Sequence, residues 1–490
     1  MNTTTIKSTC GKLAALFVVA ASAAIPAVFP MVAHAGRTVY WQRPEAGGYN
    51  WNDNANWNTA LDGSGEAVVP GEGDTLDFTK LVGIASGTPR SYYFTNDIPN
   101  EVQFAKCVNI FTDGDSYKRM GVWFDKGLFW FDDQDATEFH YLRVGADAKL
   151  KATTLRLERE SNVVPNNYVL QNEGGIEVTG EMTYGISPRK NNPYICNGGA
   201  HGGGVVKAEK FVYIIRSAGS MLYLTHRADS IVETLVLGSG GVQFQFEETP
   251  SNRPYFRVEG GKSVVIGASA DYTIGKSGNG TGNDADCILY LEKASSVCTF
   301  DTSDYDGRLA GVDIPRNITL EGRSYGTGQL VVKGCGSFLF ATNSLSTGGL
   351  TVNESATVAM DAGCTPGNGA VTLNGTSTLK VAQSGTVTLG GKLTLASTAA
   401  LAFNFTDNAT APKLAITAAS TIPATVNVKI SANEGVRPSA KQTYALTSTF
   451  DFTGKTVNLV DKPIWVKSVD VVDGNLVLTA KPKGMILIVK

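Results

Sequence analysis

The chain of 490 residues is 42% hydrophobic, 9% aromatic and only 18% charged, below the roughly 25% charged residues of an average globular protein. Its 42 Lys and Arg against 45 Asp and Glu give a net charge of -3, which is no electrostatic basis for holding a polyanion, so nucleic acid is not an expected partner. Glycine accounts for 54 of 490 residues, against a usual ~7%, with no collagen periodicity, and implies many short strands joined by turns.

Residues 1–35 begin with a polar stretch carrying Lys7 and Lys12, continue as an apolar run from Leu13 to Val32, and end in Ala33-His34-Ala35. This order of charged, apolar and small-residue regions predicts an export signal cleaved after Ala35. Its removal takes two lysines and moves the net charge from -3 to -5. Later apolar runs are broken every few residues by Gly, Thr or Asn, so no transmembrane helix is expected after cleavage.

The region 36–145 holds five of the six tryptophans and is expected to be an aromatic-rich β cap. Trp51 and Trp57 flank Asn52-Asp53-Asn54, a turn sequence. Gly121 to Phe131 is expected to be a hairpin turning at Asp125–Gly127. Trp123, Trp130, Trp51 and Trp57 are candidate stacking faces for sugar rings, with packing of the cap as the competing role. Asp113 and Asp115, and Asp132, Asp133 and Asp135 with Glu138, are the densest acidic groups. They lack the fixed glycine and distant glutamate of an EF-hand and are expected to form solvated loops.

Between 146 and 320, apolar triplets such as Leu235-Val236-Leu237 and Val264-Val265-Ile266 alternate with Gly-rich turns. Phe211 to Ile214 and Met221 to Leu224 follow the same grammar. The stretch Asn197 to Gly204 is expected to be a long surface turn, with His201 exposed and not a ligand. The mature cysteines Cys107, Cys196, Cys287, Cys298, Cys335 and Cys364 show no CxxC spacing. A zinc site is therefore not expected, and the choice between thiols and disulfides stays open. No phosphate loop and no nucleophile, base and acid arrangement is present, so no catalytic residue, metal or cofactor is expected.

From about Leu330 the triplets become regular. Leu330, Leu350, Val371, Leu393 and Leu414 each open one, at nearly equal intervals. Eight positions after each comes another apolar side chain: Phe338, Val358, Leu379, Leu401 and Ile422. A unit of about 21 residues with strands this short cannot bury its apolar face alone and must stack on its neighbours. The expected fold is all-β, a right-handed parallel β-helix solenoid over 146–435, with Leu and Val inward. Thr351, Thr372, Thr394 and Ala415 are expected outward, as are Ala359, Lys380 and Ala402. Beyond Val436 the strands lengthen, and Asp473-Gly474 sits between two alternating runs, which predicts a hairpin. With a last strand at Met485 to Val489, residues 436–490 are expected to form an antiparallel C-terminal cap.

The run Trp51-Asn52-Asp53-Asn54-Ala55-Asn56-Trp57, followed by Val69 to Phe78, and the Gly-Leu-Thr-Val and Lys-Leu-Thr-Leu phrases around Leu350 and Leu393, resemble secreted bacterial proteins with autotransporter-associated β-strand repeats. The resemblance implies an exported, surface-associated right-handed parallel β-helix, adhesin-like in some members. The stretch after 435 is shorter than the roughly 80 residues that even eight barrel strands need, so no translocator barrel is expected here. The function expected is that of a non-enzymatic adhesin-like or envelope-structural protein, extracellular, at the cell surface or periplasmic. Its expected partners are surface polysaccharide or envelope proteins. The rival is a carbohydrate-active or carbohydrate-binding β-helix with acidic and basic groups lining a groove between 145 and 320.

Overall fold

The computed structural model describes residues 36–43, 45, 47–81, 90–96, 103–108, 120–131, 137–139, 142–159, 170–186, 195–197, 204–215, 222–223, 232–246, 256–258, 260–275, 289–344 and 346–482. The export signal expected at 1–35, the strand expected at 485–489 and the surface turn expected around His201 lie outside them.

The fold is a parallel β-helix. Strands from successive coils pair in parallel within a 26-stranded sheet, and two inward rows run almost its whole length. One row passes through Phe129, Leu150, Ile176, Val206, Leu235, Ile266, Phe300, Val332, Val352, Leu373 and Leu395, each paired with the next. The other passes through Leu155, Met182, Phe211, Val242, Ile274, Leu320, Phe340, Met360, Val381, Phe403 and Ile430. All of these residues belong to one hydrophobic core. The period-2 alternation of a strand sends every second side chain inward, and parallel stacking at about 4.8 Å brings equivalent positions into contact.

The expected register holds through three intervals. Leu330, Leu350, Val371 and Leu393 pair in sequence, as do Phe338, Val358, Leu379 and Leu401. The fifth unit is different. Leu414-Ala415-Ile416 pairs with Val387-Thr388-Leu389 in a separate three-stranded sheet, while Leu401 pairs with Val428, not Ile422, and Thr394 bridges to Thr421. The coil after Leu393 is therefore longer, and the regular interval to Leu414 is a coincidence of spacing. Coils are also wide upstream, where Ile266 pairs with Phe300 and Phe300 with Val332, each a longer path along the chain than that from Val332 to its partner Val352.

Many upstream triplets fuse into strands that turn a corner without breaking, such as Val205–Ile215 and Val232–Phe246. Met120–Phe131 is another, and it corrects the hairpin expected there. It is one 12-residue strand whose two halves both pair in parallel with Leu142–Ala152, with a register shift between them. Gly127 has φ +99, a backbone state that serves a corner as well as a reversal. Asn96 Nδ2 donates to Leu128 O at 2.7 Å and holds the bend.

The ends are partly antiparallel. Thr38–Trp41 pairs antiparallel with Trp57–Asn58 and parallel with Thr75–Asp77. At the other end, Val466–Val472 and Asn475–Ala480 form the expected hairpin, joined by Asp473 at φ 48 and Gly474 at φ 75. Thr443–Ala445 completes that sheet. The parallel ladder runs past 435, since Thr456–Asp461 pairs in parallel with Thr425–Ala432.

Candidate functional site

Trp51 and Trp57 are 0% and 1% exposed. Their rings meet edge-to-face at 5.1 Å, and Trp51 packs on Phe94 and Phe129 at 5.2 Å. Trp57 Nε1 donates to Trp51 O at 3.0 Å. Asp53 accepts from Ala55 N at 3.0 Å and opens the short 3-10 helix Asn54–Asn56 between them. With every face taken by protein, Trp51 and Trp57 offer no surface to a sugar, which corrects their candidacy: they fill the first coils as an aromatic core.

Trp130 is half-buried, and the Lys151 ammonium lies 3.8 Å from its ring centroid, a cation–π contact that covers one face. Trp123 stands between Tyr93 and Arg143 in the pairing register; its side chain lies outside the described residues. The same is true of the acidic loops with Asp113, Asp115, Asp132, Asp133 and Asp135, of the Glu138 side chain, and of His140, His201 and His226. Cys298, Cys335 and Cys364 are free thiols, and burial pushes the Cys298 thiol well above its ordinary range, away from the reactive thiolate. Among the described residues no group of three His, Cys, Asp or Glu could hold a metal ion, and no helix is long and apolar enough to cross a membrane.

The outer face carries a pattern longer than the Thr repeats alone suggest. One outward column runs Val205, Thr234, Val265, Thr299, Val331, Thr351, Thr372, Thr394 and Thr421, each paired with the next. Every member is β-branched, and all but the exposed Thr421 are half-buried. β-branched residues lose little rotamer freedom on a pleated surface, so the column is stiff, uncharged and flat. A second outward row, Ala359, Lys380, Ala402 and Lys429, alternates alanine with lysine. Ala359 and Ala402 are buried despite facing out, and Lys429 Nζ donates to Thr378 Oγ1 at 3.1 Å.

Sequence reasoning missed a charged brace at 301–316. The strand Val297–Asp304 leads into the short helix Tyr305–Leu309, and the buried Asp304 caps it by accepting from Gly307 N at 2.7 Å. Arg316 donates Nε and Nη2 to Asp304 Oδ2 at 2.9 and 2.6 Å. Burial pushes the Asp304 carboxyl up, but the Gly307 amide and the Arg316 hydrogen bond and charge outweigh it and hold it below the usual carboxylate range. Asp301 is paired with Arg308 at 3.3 Å and Lys333 at 3.2 Å. Arg308 also pairs with Glu354, and Asp306 reaches back to Lys207 at 2.5 Å. Asp301 and Asp304 are thus each paired in place with cationic side chains, which suits a brace across coils. The one signal available was Asp304-x-x-Gly307 after a strand, a capping pattern too common to single out.

No family model, curated protein or solved structure matches this chain. The class that the fold defines is the parallel β-solenoid.

Proposed function

We propose that this is an exported, non-enzymatic β-helix protein, adhesin-like or structural in a bacterial envelope, of the type with autotransporter-associated β-strand repeats. The observation that carries the reading is the outward β-branched column from Val205 to Thr421. A stiff, uncharged strip repeated at the strand spacing suits adhesion to an extended surface, because its side chains give up little entropy on contact. The paired state of Asp301 and Asp304 points the same way, since polysaccharide cleavage needs ionisable groups free to exchange protons at the scissile bond.

The test has two parts. Protein recovered outside the cytoplasm is expected to begin at Gly36; an intact Met1 would overturn the export reading. The purified chain from 36 to 490 is expected to leave pectin, polygalacturonate and host-type glycans uncut, with and without calcium. New reducing ends or unsaturated uronates, abolished by changing carboxylates in one groove, would overturn the non-enzymatic reading.

A further inference from the structure

The two ends of the solenoid differ from its sides. Among the described residues, the large apolar side chains left exposed fall in three places: Leu61 and Val69 in the first coil, Leu309, Val312 and Ile314 beside the brace, and Val460, Ile464 and Val472 in the C-terminal cap. None of them lies on the regular coils between Leu330 and Leu395. In the first coil, Trp57–Asn58 pairs with Thr38–Trp41 on the edge opposite Thr75–Asp77, and Asn58 bridges to Ala67. The turn with Leu61, and Val69 just past the bridge, therefore stand at the N-terminal end.

At the other end the core is left partly open. Val426 and Val428 are fully buried, yet the residues stacked on them, Val457 and Leu459, are only half-buried. Their strand, Thr456–Asp461, pairs with Thr425–Ala432 along one edge and with no described residue along the other. From Thr456 to Val460 it carries none of the lysine or proline that blunts a solvent-facing strand edge. Ile464, 90% exposed, follows it, and Val472 ends the outer strand of the hairpin. The two ends are also opposite in charge. Residues 36–81 carry three basic and seven acidic side chains, a net of -4, whereas residues 436–482 carry six basic and four acidic, a net of +2.

We infer that copies of this chain associate head to tail, the C-terminal face of one seated on the N-terminal face of the next with the solenoid axes in line. Each face alone leaves apolar side chains in water among charges of one prevailing sign. Brought together, they bury Val460, Ile464 and Val472 against Leu61 and Val69 and set a basic surround on an acidic one. Two like ends would instead oppose charges of one sign, so the contact is heterologous and, with axes in line, does not close on itself. The unblunted edge of Thr456–Asp461 is the kind of edge that pairs with another chain, which a fully capped solenoid prevents. This contact adds an assembly to the proposed scaffold and does not rest on that reading.

The experiment is sedimentation velocity of the chain from Gly36 to Lys490, which contains every described residue, between about 1 and about 200 μM, a span that brackets micromolar dissociation constants. The weight-average mass is expected to rise with concentration past that of two copies, and less steeply at about 500 mM than at about 50 mM salt, because screening weakens the facing charges. Ile464→Glu and Leu61→Glu each set a carboxylate against aliphatic side chains of the facing end and are expected to weaken association about tenfold or more, with far-UV circular dichroism reporting folding independently. A mixture of the two variants separates head-to-tail from symmetric contact: each keeps the face that the other has lost, so the mixture is expected to form pairs of one copy of each, while either variant alone stays single. Leu309→Glu, midway along the solenoid, is expected to assemble as the parent does. A parent that stays single or stops at two copies, parent-like assembly by a well-folded Ile464→Glu variant, no pairing in the mixture, or loss of assembly in Leu309→Glu would overturn the inference. A 36–490 chain that stays single while one ended at Pro482 assembles would give the C-terminal face to residues 483–490 and overturn it as well.

Discussion

The regular coils between Leu330 and Leu395 and the wide coils upstream share the same two inward rows yet solve different problems. In the regular part, Val332 pairs with Val352 and Val352 with Leu373, so each coil is short. At glycine turns backbone stacks directly on backbone, here as at Gly174 and Gly326 of the wide coils. A Cβ on Gly348 would overlap the carbonyl oxygen of Gly328, one on Gly369 that of Gly348, and one on Gly391 that of Gly369. Upstream, the longer paths from Leu235 to Ile266 and from Ile266 to Phe300 carry the added strands Phe256–Val258 and Leu289–Leu291, and that from Phe300 to Val332 carries the brace at 301–316. Regularity serves stacking, while extra length carries chemical variety. The inward rows tolerate both because insertions enter at turns, where they do not alter the alternation within a strand.

Six substitutions, in four tests, break or sharpen this comparison. The largest effect is expected for Leu393→Asp, which places a charge in a row where the native side chain is fully buried; it should cost more than about 4 kcal/mol by urea denaturation, whereas Thr394→Asp on the outer face should cost within about 1 kcal/mol. Equal losses would show the inside and outside of the regular coils to be misassigned. The array need not melt as one unit, so a partial transition confined to the regular coils is an allowed form of the first result.

Next comes the glycine ladder. Gly369→Ala drives a methyl into the Gly348 carbonyl and should cost about 3 kcal/mol. Gly363→Ala, at φ +81 with open space around it, should cost about 1 kcal/mol from backbone strain alone. A reversal of that order would remove backbone stacking as the reason glycine stands at these turns.

In the wide coils, Asp304→Asn keeps a cap for Gly307 N but removes the charge that Arg316 faces, with an expected loss of about 2 kcal/mol at neutral pH. The folded-state pKa of Asp304 is depressed, so its contribution is fully present above the unfolded value of about 4 and is lost as pH falls through that value towards the folded one. The parent should therefore lose more stability than the Asn variant between neutral pH and about pH 3. Parallel acid limbs in the two proteins would show that the brace is not electrostatic.

The smallest effect is expected for Glu181→Gln. Its pair with Lys210 at 2.8 Å has both side chains more than a third exposed and should contribute within about 0.5 kcal/mol, less in high salt. A loss matching that of Asp304→Asn would mean that outer charges of the wide coils stabilise them generally, not only at the brace.

What could be read from the residues depended on how local the deciding interaction was. The Asp473-Gly474 hairpin is visible in the sequence because two adjacent positive-φ residues reverse the chain by themselves. Gly127 misled because its positive φ fits a reversal and a solenoid corner equally, and only the parallel partner Leu142–Ala152 separates the two. Leu414 misled because its triplet satisfies the alternation of any face, and the longer coil that moves it onto Val387-Thr388-Leu389 leaves no local mark.

The sequence by itself determined that the protein is all-β and that Leu350, Val352, Val371 and Leu373 point inward while Thr351 and Thr372 point out. Those facts follow from period-2 alternation within a strand, a property of a few consecutive residues. Only the tertiary structure decided which strand of one coil lies on which strand of the next. It alone united Tyr223, Arg257, Tyr290 and Tyr325, which lie far apart along the chain, and set Asp304 against Arg316 across the turn that the short helix fills. The physical reason is that inter-coil register is fixed by the summed length of every turn and insertion between two strands, and by the burial of both inward rows at once, a condition that no local window contains.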